Sequence, residues 1–439
     1  MSQAPRRVVA RFLAAALAAS TALIAFTPTA SAEIPDGSRF YVPRANQDAL
    51  EQIADLESEG REGAASRIRA LVGTPTGVWV ESGSARAAEK QVRRVTKQAK
   101  ARRTVPLLVL YNVPFRDCAQ YSSGGATSVQ EYEDWIDGVV AGLGRREAVI
   151  ALEPDSLGII PWYTNVDQNL EWCQPDEADA ATAATERFAM LNYAVDRLTS
   201  LPNTSVYLDG THSAWLNVGD ISDRLLKAGV AKTDGFFLNA SNYQWTPNLE
   251  QYGTWISSCL AYVTEVAPTQ FGSCANQFWN GGLPNTSGGV ALDPAKIWSD
   301  TSTDPTANTA GINFRYASIL GDVQPSKTFI IDTSRNGQGP WTPTAEQKAA
   351  WPDPQDWCNP PRRGLGERPS TRTGTQLADA YVWIKVPGES DGQCSRGLGV
   401  GDNVVDPIWG RVDPDAGAWF PEQALELTQL ANPRLRFRR

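Results

Sequence analysis

An aspartate stands at the end of a short apolar run near the middle of the chain. The segment Ala148–Trp162 reads AVIALEPDSLGIIPW, and its apolar run stops shortly before Pro154 and Asp155. Such a run is too short for a helix, but it suits a strand that is buried on both faces of a parallel sheet. The α/β barrels and open α/β sheets place their chemistry at the carboxyl ends of such strands. Asp155 is therefore a candidate catalytic acid, although a lone aspartate in this position more often only begins a turn or caps a helix.

Polar or aromatic residues follow every strand that the sequence predicts, and a barrel does not need them for stability. In chain order they are Trp79, Tyr111 with Asp117, Asp155, Asp209, Asn242, Arg335 after Asp332, and Lys385 with Glu389 and Asp391. Several acids at one rim suit glycoside hydrolysis, which needs a proton donor for the leaving oxygen and a base or nucleophile opposite it. The repetition favours one functional site over a series of unrelated turns.

The only histidine, His212, limits the other reactions that the chain could perform. A histidine-rich metal site is excluded, and no serine lies in the Gly-x-Ser-x-Gly turn of an α/β-hydrolase triad. His212 follows a predicted strand and precedes Trp215, so it either forms a hydrogen bond with a ligand or has a structural role. We expect no metal and no cofactor.

Predicted strands alternate with amphipathic helical segments, which is typical of an α/β fold with a parallel sheet. The seven strands are Gly77–Val80, Pro106–Tyr111, Val149–Glu153, Val206–Asp209, Gly235–Asn239, Thr328–Asp332 and Ala380–Lys385. The helical segments include Ala85–Ala101, Val129–Leu143, Ala180–Leu198 and Ile221–Ala228. We expect a closed or nearly closed parallel β/α barrel that forms one domain over residues 33–439, because no repeat or linker divides the chain.

Residues 1–32 have the pattern of a secretory signal peptide. Three arginines precede the apolar segment 12–26, and Ala-Ser-Ala at 30–32 supplies the small residues of a cleavage site. The pair Arg6-Arg7 hints at twin-arginine export, but the surrounding pattern favours ordinary secretion. The remaining sequence has no apolar run of membrane length. The prediction is a secreted, extracellular protein that does not bind a membrane.

Composition restricts the partners and the compartment further. The net charge of -9 and the pI of about 5.0 argue against nucleic acid, which requires a concentrated positive surface. Six cysteines in a secreted chain favour three disulfides over a zinc site, since no Cys-x-x-Cys spacing is present. Fifteen tryptophans favour flat apolar platforms for sugar rings, although core packing must account for many of them. We expect a monomer.

Six segments between Tyr111 and Cys394 resemble the glycoside hydrolase family 6 cellulases. In this order they are YNVPFRDC, ALEPDSLG, YLDGTHSAW, NASNY, IIDTSRNGQGPW and WIKVPGESDGQC. The resemblance implies a distorted seven-stranded barrel that cleaves the β-1,4-glucan of cellulose and cello-oligosaccharides with inversion at the anomeric carbon. No carbohydrate-binding module is visible beside this catalytic domain.

The resemblance implies catalytic roles for five residues. Asp155 matches the general acid, and Asp117 matches the second aspartate that keeps the acid protonated, as a nearby carboxylate would. Tyr111 matches the tyrosine beside the distorted sugar ring, and Ser123 matches the loop serine that handles a chain of waters. Asp391 matches the aspartate proposed as the base, a role that competes with activation of the water through a relay.

The resemblance also implies substrate-binding positions and disulfides. Trp79, Trp215 and Trp357 match positions that stack on glucose rings. The remaining predicted substrate-binding residues are Asp209, His212, Asn242, Lys385 and Glu389. Two disulfides are implied, Cys118–Cys173 and Cys358–Cys394, and Cys259 and Cys274 are then expected to pair with each other.

Two long connections bear on whether the cleavage is exo or endo. Asn239–Thr328 and Thr333–Ala378 are both longer than one crossover helix requires. The first contains a Gly/Asn-rich turn at 280–285 and a polar run at 299–308, and the second contains three tryptophans. We expect both to fold over the cleft into a tunnel, as in a cellobiohydrolase that releases cellobiose from non-reducing ends. The alternatives are an open-cleft endo-β-1,4-glucanase, with these residues packed outside the barrel, and a glucan-binding protein that has lost catalysis.

Overall fold

The computed structural model describes residues 1, 34–279, 289–399 and 403–436. The chain separates into two units, Met1–Ala30 and Ser31–Arg439, and the second contains every helix and strand given below. The predicted signal peptide at 1–32, apart from Met1, and the predicted turn at 280–285 lie outside the described residues. Within those residues, no helix combines the length and the apolarity that a membrane span requires.

Seven strands form one parallel sheet in which each strand pairs with the next along the chain. They are β1 (Val78–Val80), β2 (Leu107–Leu110), β3 (Ala148–Leu152), β4 (Thr204–Asp209), β5 (Gly235–Leu238), β6 (Thr328–Asp332) and β7 (Ala378–Val382). All seven predicted strands are therefore confirmed, with shifts of a few residues at their ends.

The first and last strands of the sheet approach each other without pairing. The Gly77 N–H donates to the Trp383 carbonyl oxygen at 2.7 Å, and Trp79 Nε1 donates to the Ile384 carbonyl oxygen at 3.0 Å. A Cβ on Gly77 would lie 2.6 Å from the same Ile384 oxygen, so the approach requires glycine. No ladder joins β1 to β7 in the described part of the chain. The sheet thus curls into a distorted half-barrel of the predicted α/β class.

Ten α-helices accompany the strands within the described residues. They are α1 (Gln47–Ser58), α2 (Glu62–Val72), α3 (Ala85–Arg102), α4 (Val129–Leu143), α5 (Ala183–Thr199), α6 (Val218–Lys227), α7 (Thr246–Ala261), α8 (Ala310–Leu320), α9 (Ala345–Ala350) and α10 (Pro421–Gln429). The four predicted helices correspond to α3–α6. The bounds of α4 are as predicted, whereas α5 begins after a series of turns that occupies 176–182.

The side chains of each strand alternate between two apolar layers. In β3, Val149 and Ala151 point into the half-barrel, while Ile150 and Leu152 pack against the surrounding helices. Both faces are buried, which explains why this strand is a continuous apolar run. Full burial of a side chain such as Ile150 contributes about 1.5–3 kcal/mol.

Helices α1, α2 and α10 form a separate apolar cluster beside the approach of β1 to β7. Trp383 and Trp419 are buried in this cluster, and Trp419 Nε1 donates to Gln52 Oε1 at 2.8 Å. None of these three helices was predicted from the sequence. Together they cover the seam of the half-barrel.

Helix α7, which belongs to the first long connection, packs against the outer face of the sheet. A Cβ on Gly253 of α7 would meet the Phe329 ring of β6 at 2.7 Å. The Ser257 hydroxyl of the same helix donates to the Lys327 carbonyl oxygen at 2.6 Å. These close contacts place α7 directly behind the sheet, on the side away from the strand ends.

Candidate active site

A cleft of about 990 Å³ opens at the carboxyl ends of the strands. Twelve of the thirteen predicted catalytic and substrate-binding residues line it: Trp79, Tyr111, Asp117, Ser123, Asp155, His212, Trp215, Asn242, Trp357, Lys385, Glu389 and Asp391. They come from residues in or after all seven strands, because the carboxyl ends of parallel strands meet at one rim.

Asp155 lies on the floor of the cleft, in a turn with left-handed backbone. Its φ is 64° and that of Glu153 is 56°. Such a conformation costs about 1–3 kcal/mol for a residue with a Cβ. Burial raises the pKa of Asp155 well above its usual range, and the negative charges of Asp209, Asp117 and Asp391 raise it further. The carboxyl group therefore retains a proton that it can donate.

Asp209 is the one predicted substrate-binding residue that lies beneath the Asp155 turn and not in the lining of the cleft. It is 2% exposed and does not line the cleft. The Thr211 N–H donates to Asp209 Oδ1 at 2.9 Å, and the N–H groups of Leu157 and Gly158 also face the carboxylate. Burial nevertheless raises the pKa of Asp209 to about 7. The residue supports the turn from below.

Asp117 lies in the loop that follows β2. The Ser122 N–H donates to Asp117 Oδ2 at 2.7 Å. Burial raises the pKa of Asp117 to about 6, although this N–H and the Arg116 guanidinium oppose the shift. Arg116 lies over the Tyr111 ring, 4.7 Å from its centroid, and donates to the Tyr111 carbonyl oxygen at 2.7 Å. The loop is thereby fixed to the end of its own strand.

Asp391 is an anion held by two cations. Arg335 Nη1 donates to Oδ2, the Tyr243 hydroxyl and the Asn359 N–H donate to the same oxygen at 3.0 Å, and Lys385 Nζ lies 3.4 Å from Oδ1. Burial alone would raise the pKa of Asp391. The charges of Arg335 and Lys385 outweigh that effect, so the pKa lies below its usual range.

Aromatic rings that line the cleft come from strands on both sides of β3, the strand that precedes Asp155. Trp79 of β1 meets the Tyr111 ring edge to face, with centroids 5.5 Å apart. Trp215, after β4, packs on Gly158 of the Asp155 turn, where a Cβ would lie 2.4 Å from the indole ring. The glycine thus allows an aromatic platform directly beside the acid.

Polar side chains supply the cleft with donors and acceptors. Burial lowers the pKa of His212 to about 4, and its Nδ1 accepts the Ala214 N–H at 3.2 Å, so the neutral ring carries its proton on Nε2. Lys385 Nζ donates to the Ser390 carbonyl oxygen at 2.9 Å. Burial raises the pKa of Glu389. These groups suit a ligand rich in hydroxyls.

Tyr121 joins the loop after β2 to the connections after β6 and β7. Its ring lies 5.9 Å from that of Trp357. Its hydroxyl donates to Gln355 Oε1 at 3.2 Å and accepts the Ser395 N–H at 3.1 Å. These contacts bridge the loops around Asp117.

The structure contains the three predicted disulfides, Cys118–Cys173, Cys259–Cys274 and Cys358–Cys394. The first ties the residue after Asp117 to the connection after β3, and the third ties together the connections after β6 and β7. The second lies behind the sheet. Three disulfides fit an oxidising compartment.

Sequence reasoning missed several residues that line the cleft. They are Tyr121, Trp172, Tyr243 and Trp419. Tyr243 and Trp172 each had a signal, since Tyr243 follows Asn242 in the motif NASNY and Trp172 precedes a predicted disulfide cysteine. Trp172 is 53% exposed, which is unusual for so large an apolar ring.

One group of described residues has the spacing of metal ligands, namely Cys394, Asp406 and Asp413. Cys394 is bonded to Cys358, and Asp406 pairs with Arg396 at 2.6 Å. Because two of the three groups already have strong partners, we assign no metal to this cluster.

Comparison with known proteins identifies the family. The model of glycosyl hydrolases family 6 matches residues 35–431. Endoglucanase A of Cellulomonas fimi is 30% identical over 82% of this chain and 55% of that protein, and Endoglucanase A of Thermobispora bispora is 31% identical over 97% of this chain and 70% of that protein. The 1,4-β-D-glucan cellobiohydrolase C of Emericella nidulans is 28% identical over 93% of this chain and 81% of that protein.

Comparison with a solved structure supports the same family. An endoglucanase from Mycobacterium tuberculosis, in complex with a thio-linked cellobioside, is 29% identical and superimposes with a TM-score of 0.60. The alignment covers 92% of this chain and 99% of that one. The match to the family model spans all seven strands and every residue that lines the cleft. This chain belongs to glycosyl hydrolase family 6.

Proposed function

We propose that the protein is a secreted, inverting β-1,4-glucanase, and that it acts as a cellobiohydrolase releasing cellobiose from the non-reducing ends of cellulose. Relatives named as endoglucanases and as a cellobiohydrolase support the substrate class. The observation that carries the proposal is Asp155, a carboxyl group in the cleft whose proton is retained by burial and by three neighbouring acids.

Asp155 protonates the oxygen of the scissile bond as that bond to the anomeric carbon breaks. A water molecule attacks the opposite face of the sugar and inverts its configuration. Tyr111 and Trp79 lie beside the sugar on one side of Asp155, and Trp215 stacks on the chain on the other side. Trp357 provides a further stacking surface.

The water loses its proton through a relay. Asp391 is a weak candidate for a direct base, because Arg335 holds it as a stable anion with a low pKa. Its fixed negative charge instead stabilises the positively charged sugar of the transition state. Ser123 passes the water's proton to Asp117, whose pKa of about 6 makes it the stronger base. Asp117 then returns a proton to Asp155, which restores the acid for the next turnover.

The exo mode is supported by the connections that surround the cleft. Trp341 and Trp357 come from the connection after β6, and Glu389 and Trp419 come from the segment after β7. Tyr121 links both to the loop after β2. Such a bridge favours threading of a glucan from its end.

The described residues of the first long connection contribute little to this enclosure. Among these residues, only Ala240–Gln244 line the cleft, and helix α7 packs behind the sheet. The prediction that this connection folds over the cleft thus stays a prediction, because its turn at 280–285 lies outside the described residues.

The second candidate is an endo-β-1,4-glucanase of the same family. It is favoured by the relatives from Cellulomonas fimi and Thermobispora bispora, which are named as endoglucanases. The two modes differ in how internal bonds are reached, because an open cleft accepts a glucan at any point along its length.

Carboxymethylcellulose distinguishes the two modes. For each increment of reducing sugar, a cellobiohydrolase lowers the viscosity little, whereas an endoglucanase lowers it steeply. Rapid viscosity loss at low sugar release would replace the exo proposal with the endo one. Failure to hydrolyse cellohexaose, with binding retained, would instead favour a glucan-binding protein. An initial excess of the α-anomer of cellobiose, followed by NMR, would support inversion.

The remaining predicted residues have binding roles in this proposal. His212, Asn242, Lys385 and Glu389 form hydrogen bonds with glucose hydroxyls in the cleft, and cellulose and cello-oligosaccharides are the partners. We propose a monomeric enzyme, which gel filtration with light scattering would test.

A further inference from the structure

Two buried charged residues, Glu153 and Arg187, have no part in the proposed reaction. Glu153 is 0% exposed and Arg187 is 2% exposed, and neither lines the cleft. Both contact the acid loop, defined as residues 153–159, and the β2 loop, defined as residues 112–123. We infer that Glu153 and Arg187 are positioning residues that clamp these loops together and so fix the general acid Asp155 against Asp117. This inference rests on the proposed function.

Arg187 of α5 is hydrogen-bonded to both loops. Its Nη1 donates to the carbonyl oxygens of Ser156 and Ile159 in the acid loop, at 2.9 and 2.8 Å. Its Nη2 donates to the carbonyl oxygen of Pro114 in the β2 loop at 2.8 Å. One rigid, planar guanidinium therefore sets the separation of the two loops.

Glu153 makes the reciprocal connection from within the acid loop. Its Oε2 accepts the N–H groups of Asn112 and Val113, at 2.8 and 3.1 Å, so a side chain of one loop holds the backbone of the other. Burial raises the pKa of Glu153 to about 7 and lowers that of Arg187 to about 10, and each group opposes the pKa shift of the other. Because these groups are buried, loss of either partner leaves polar atoms unsatisfied in a medium that screens them poorly.

The two loops need such a restraint because their backbones are strained. The φ angles are 55° at Phe115 and 58° at Asp117 in the β2 loop, and 56° at Glu153 and 64° at Asp155 in the acid loop. Non-glycine residues keep this conformation only where their surroundings impose it. If the clamp loosens, Asp155 moves relative to Asp117 and to the scissile oxygen. A misplacement of about 1 Å can reduce turnover about 10²-fold.

The test compares Arg187→Met with Arg197→Met. Arg197 lies on the same helix, its side chain is 43% exposed, and it pairs with Asp137 away from both loops. On cellohexaose, Arg187→Met should lower kcat about 10²-fold with little change in KM. On a dinitrophenyl cellobioside, whose leaving group needs no proton, the loss should be several times smaller. The alkaline limb of the pH profile should also move, while Arg197→Met changes none of these quantities.

Equal losses on the two substrates with an unchanged pH profile would overturn the inference and leave the two residues a purely structural role. If Arg187→Met does not fold, Arg187→Lys and Glu153→Gln replace it, since each retains part of the hydrogen bonding. In both variants kcat should again fall more on cellohexaose than on the dinitrophenyl cellobioside, but by a smaller factor than in Arg187→Met. Equal losses of kcat on the two substrates would again overturn the inference. A folded wild-type protein that cannot hydrolyse cellohexaose would overturn the proposed function itself, which is a distinct result.

Discussion

Arg335 and Asp391 form a bidentate ion pair, in which Nη1 donates to Oδ2 and Nη2 lies beside Oδ1, each at 2.9 Å. The Arg335 side chain is fully buried and that of Asp391 is 8% exposed. Charge-assisted, bidentate pairs of this kind are strong and directional. The pair fixes a negative charge at the rim of the cleft and keeps it there over the whole range of pH in which the acids of the β2 and acid loops titrate.

Arg335→Met should destabilise the protein by about 3–5 kcal/mol, because it leaves Asp391 buried without its main cation. Urea unfolding near neutral pH measures this free energy. The pKa of Asp391 is lowered in the folded state, so its stabilisation is present above the unfolded pKa and is lost as the pH falls through the folded pKa. The difference between wild type and variant should therefore shrink in acid.

The exposed pair Arg197–Asp137 provides the control for that measurement. Arg197→Met should cost less than about 1 kcal/mol, as surface ion pairs contribute little. A cost for Arg335→Met no larger than this would show that the buried pair does not stabilise the rim.

Asp155→Asn should lower kcat on cello-oligosaccharides by about 10²–10⁴-fold, the usual contribution of general acid catalysis. Binding of cellohexaose, measured by calorimetry, should persist because the amide has nearly the same shape. Substrates with good leaving groups should lose less. Near-normal cellulose hydrolysis by this variant would exclude Asp155 as the acid.

The pH dependence of kcat/KM should have an acidic limb near pH 6, where Asp117 titrates, and an alkaline limb where Asp155 loses its proton. At a pH below the acidic limb, activity falls because protonated Asp117 cannot accept a proton. At a pH above the alkaline limb, activity falls because ionised Asp155 cannot donate one. Asp117→Asn should abolish the acidic limb and move the alkaline limb to lower pH, since one negative charge near Asp155 is gone. An acidic limb that survives in this variant would assign it to another group.

Removal of different disulfides should distinguish effects on stability from effects on activity. Replacing Cys358 and Cys394 with serine, or Cys259 and Cys274 with serine, should each reduce the free energy of unfolding by about 2–5 kcal/mol. Only the first pair joins connections that line the cleft, so only its removal should also lower kcat/KM at a temperature where both variants remain folded. Equal effects on kcat/KM would mean that the Cys358–Cys394 link does not shape the cleft.

The strands and the cleft residues at their ends could be predicted from local sequence, whereas Ser123 and Trp357 were predicted only from the family resemblance. A buried parallel strand needs an apolar run, and a parallel sheet brings the residues after such runs to one rim. Thr328–Asp332 was predicted with its observed bounds for this reason. The first two helices and the last were missed because they pack on Trp383 and Trp419, partners that are distant in sequence.

The depth of a side chain below the rim could not be read from its position after a strand. Asp155 and Asp209 both stand at strand ends, yet one lines the cleft and the other is buried under it. The difference arises from the left-handed backbone at Glu153 and Asp155, which turns the acid loop over Asp209. The contacts of Arg187 could not be predicted from the sequence either, because its acceptors are carbonyl groups that any residue can supply.

Helices α7 and α8 lie behind the sheet, so the residues that stabilise the fold there are separate from those that line the cleft. Residues 246–279 and 289–327 contribute to the core without lining the cleft, so they are constrained by folding and not by contact with the substrate. Selection for heat tolerance or protease resistance can act there while the rim keeps its strained loops unchanged. The enzyme's durability and its choice of glucan can thus evolve, or be engineered, on opposite faces of one sheet.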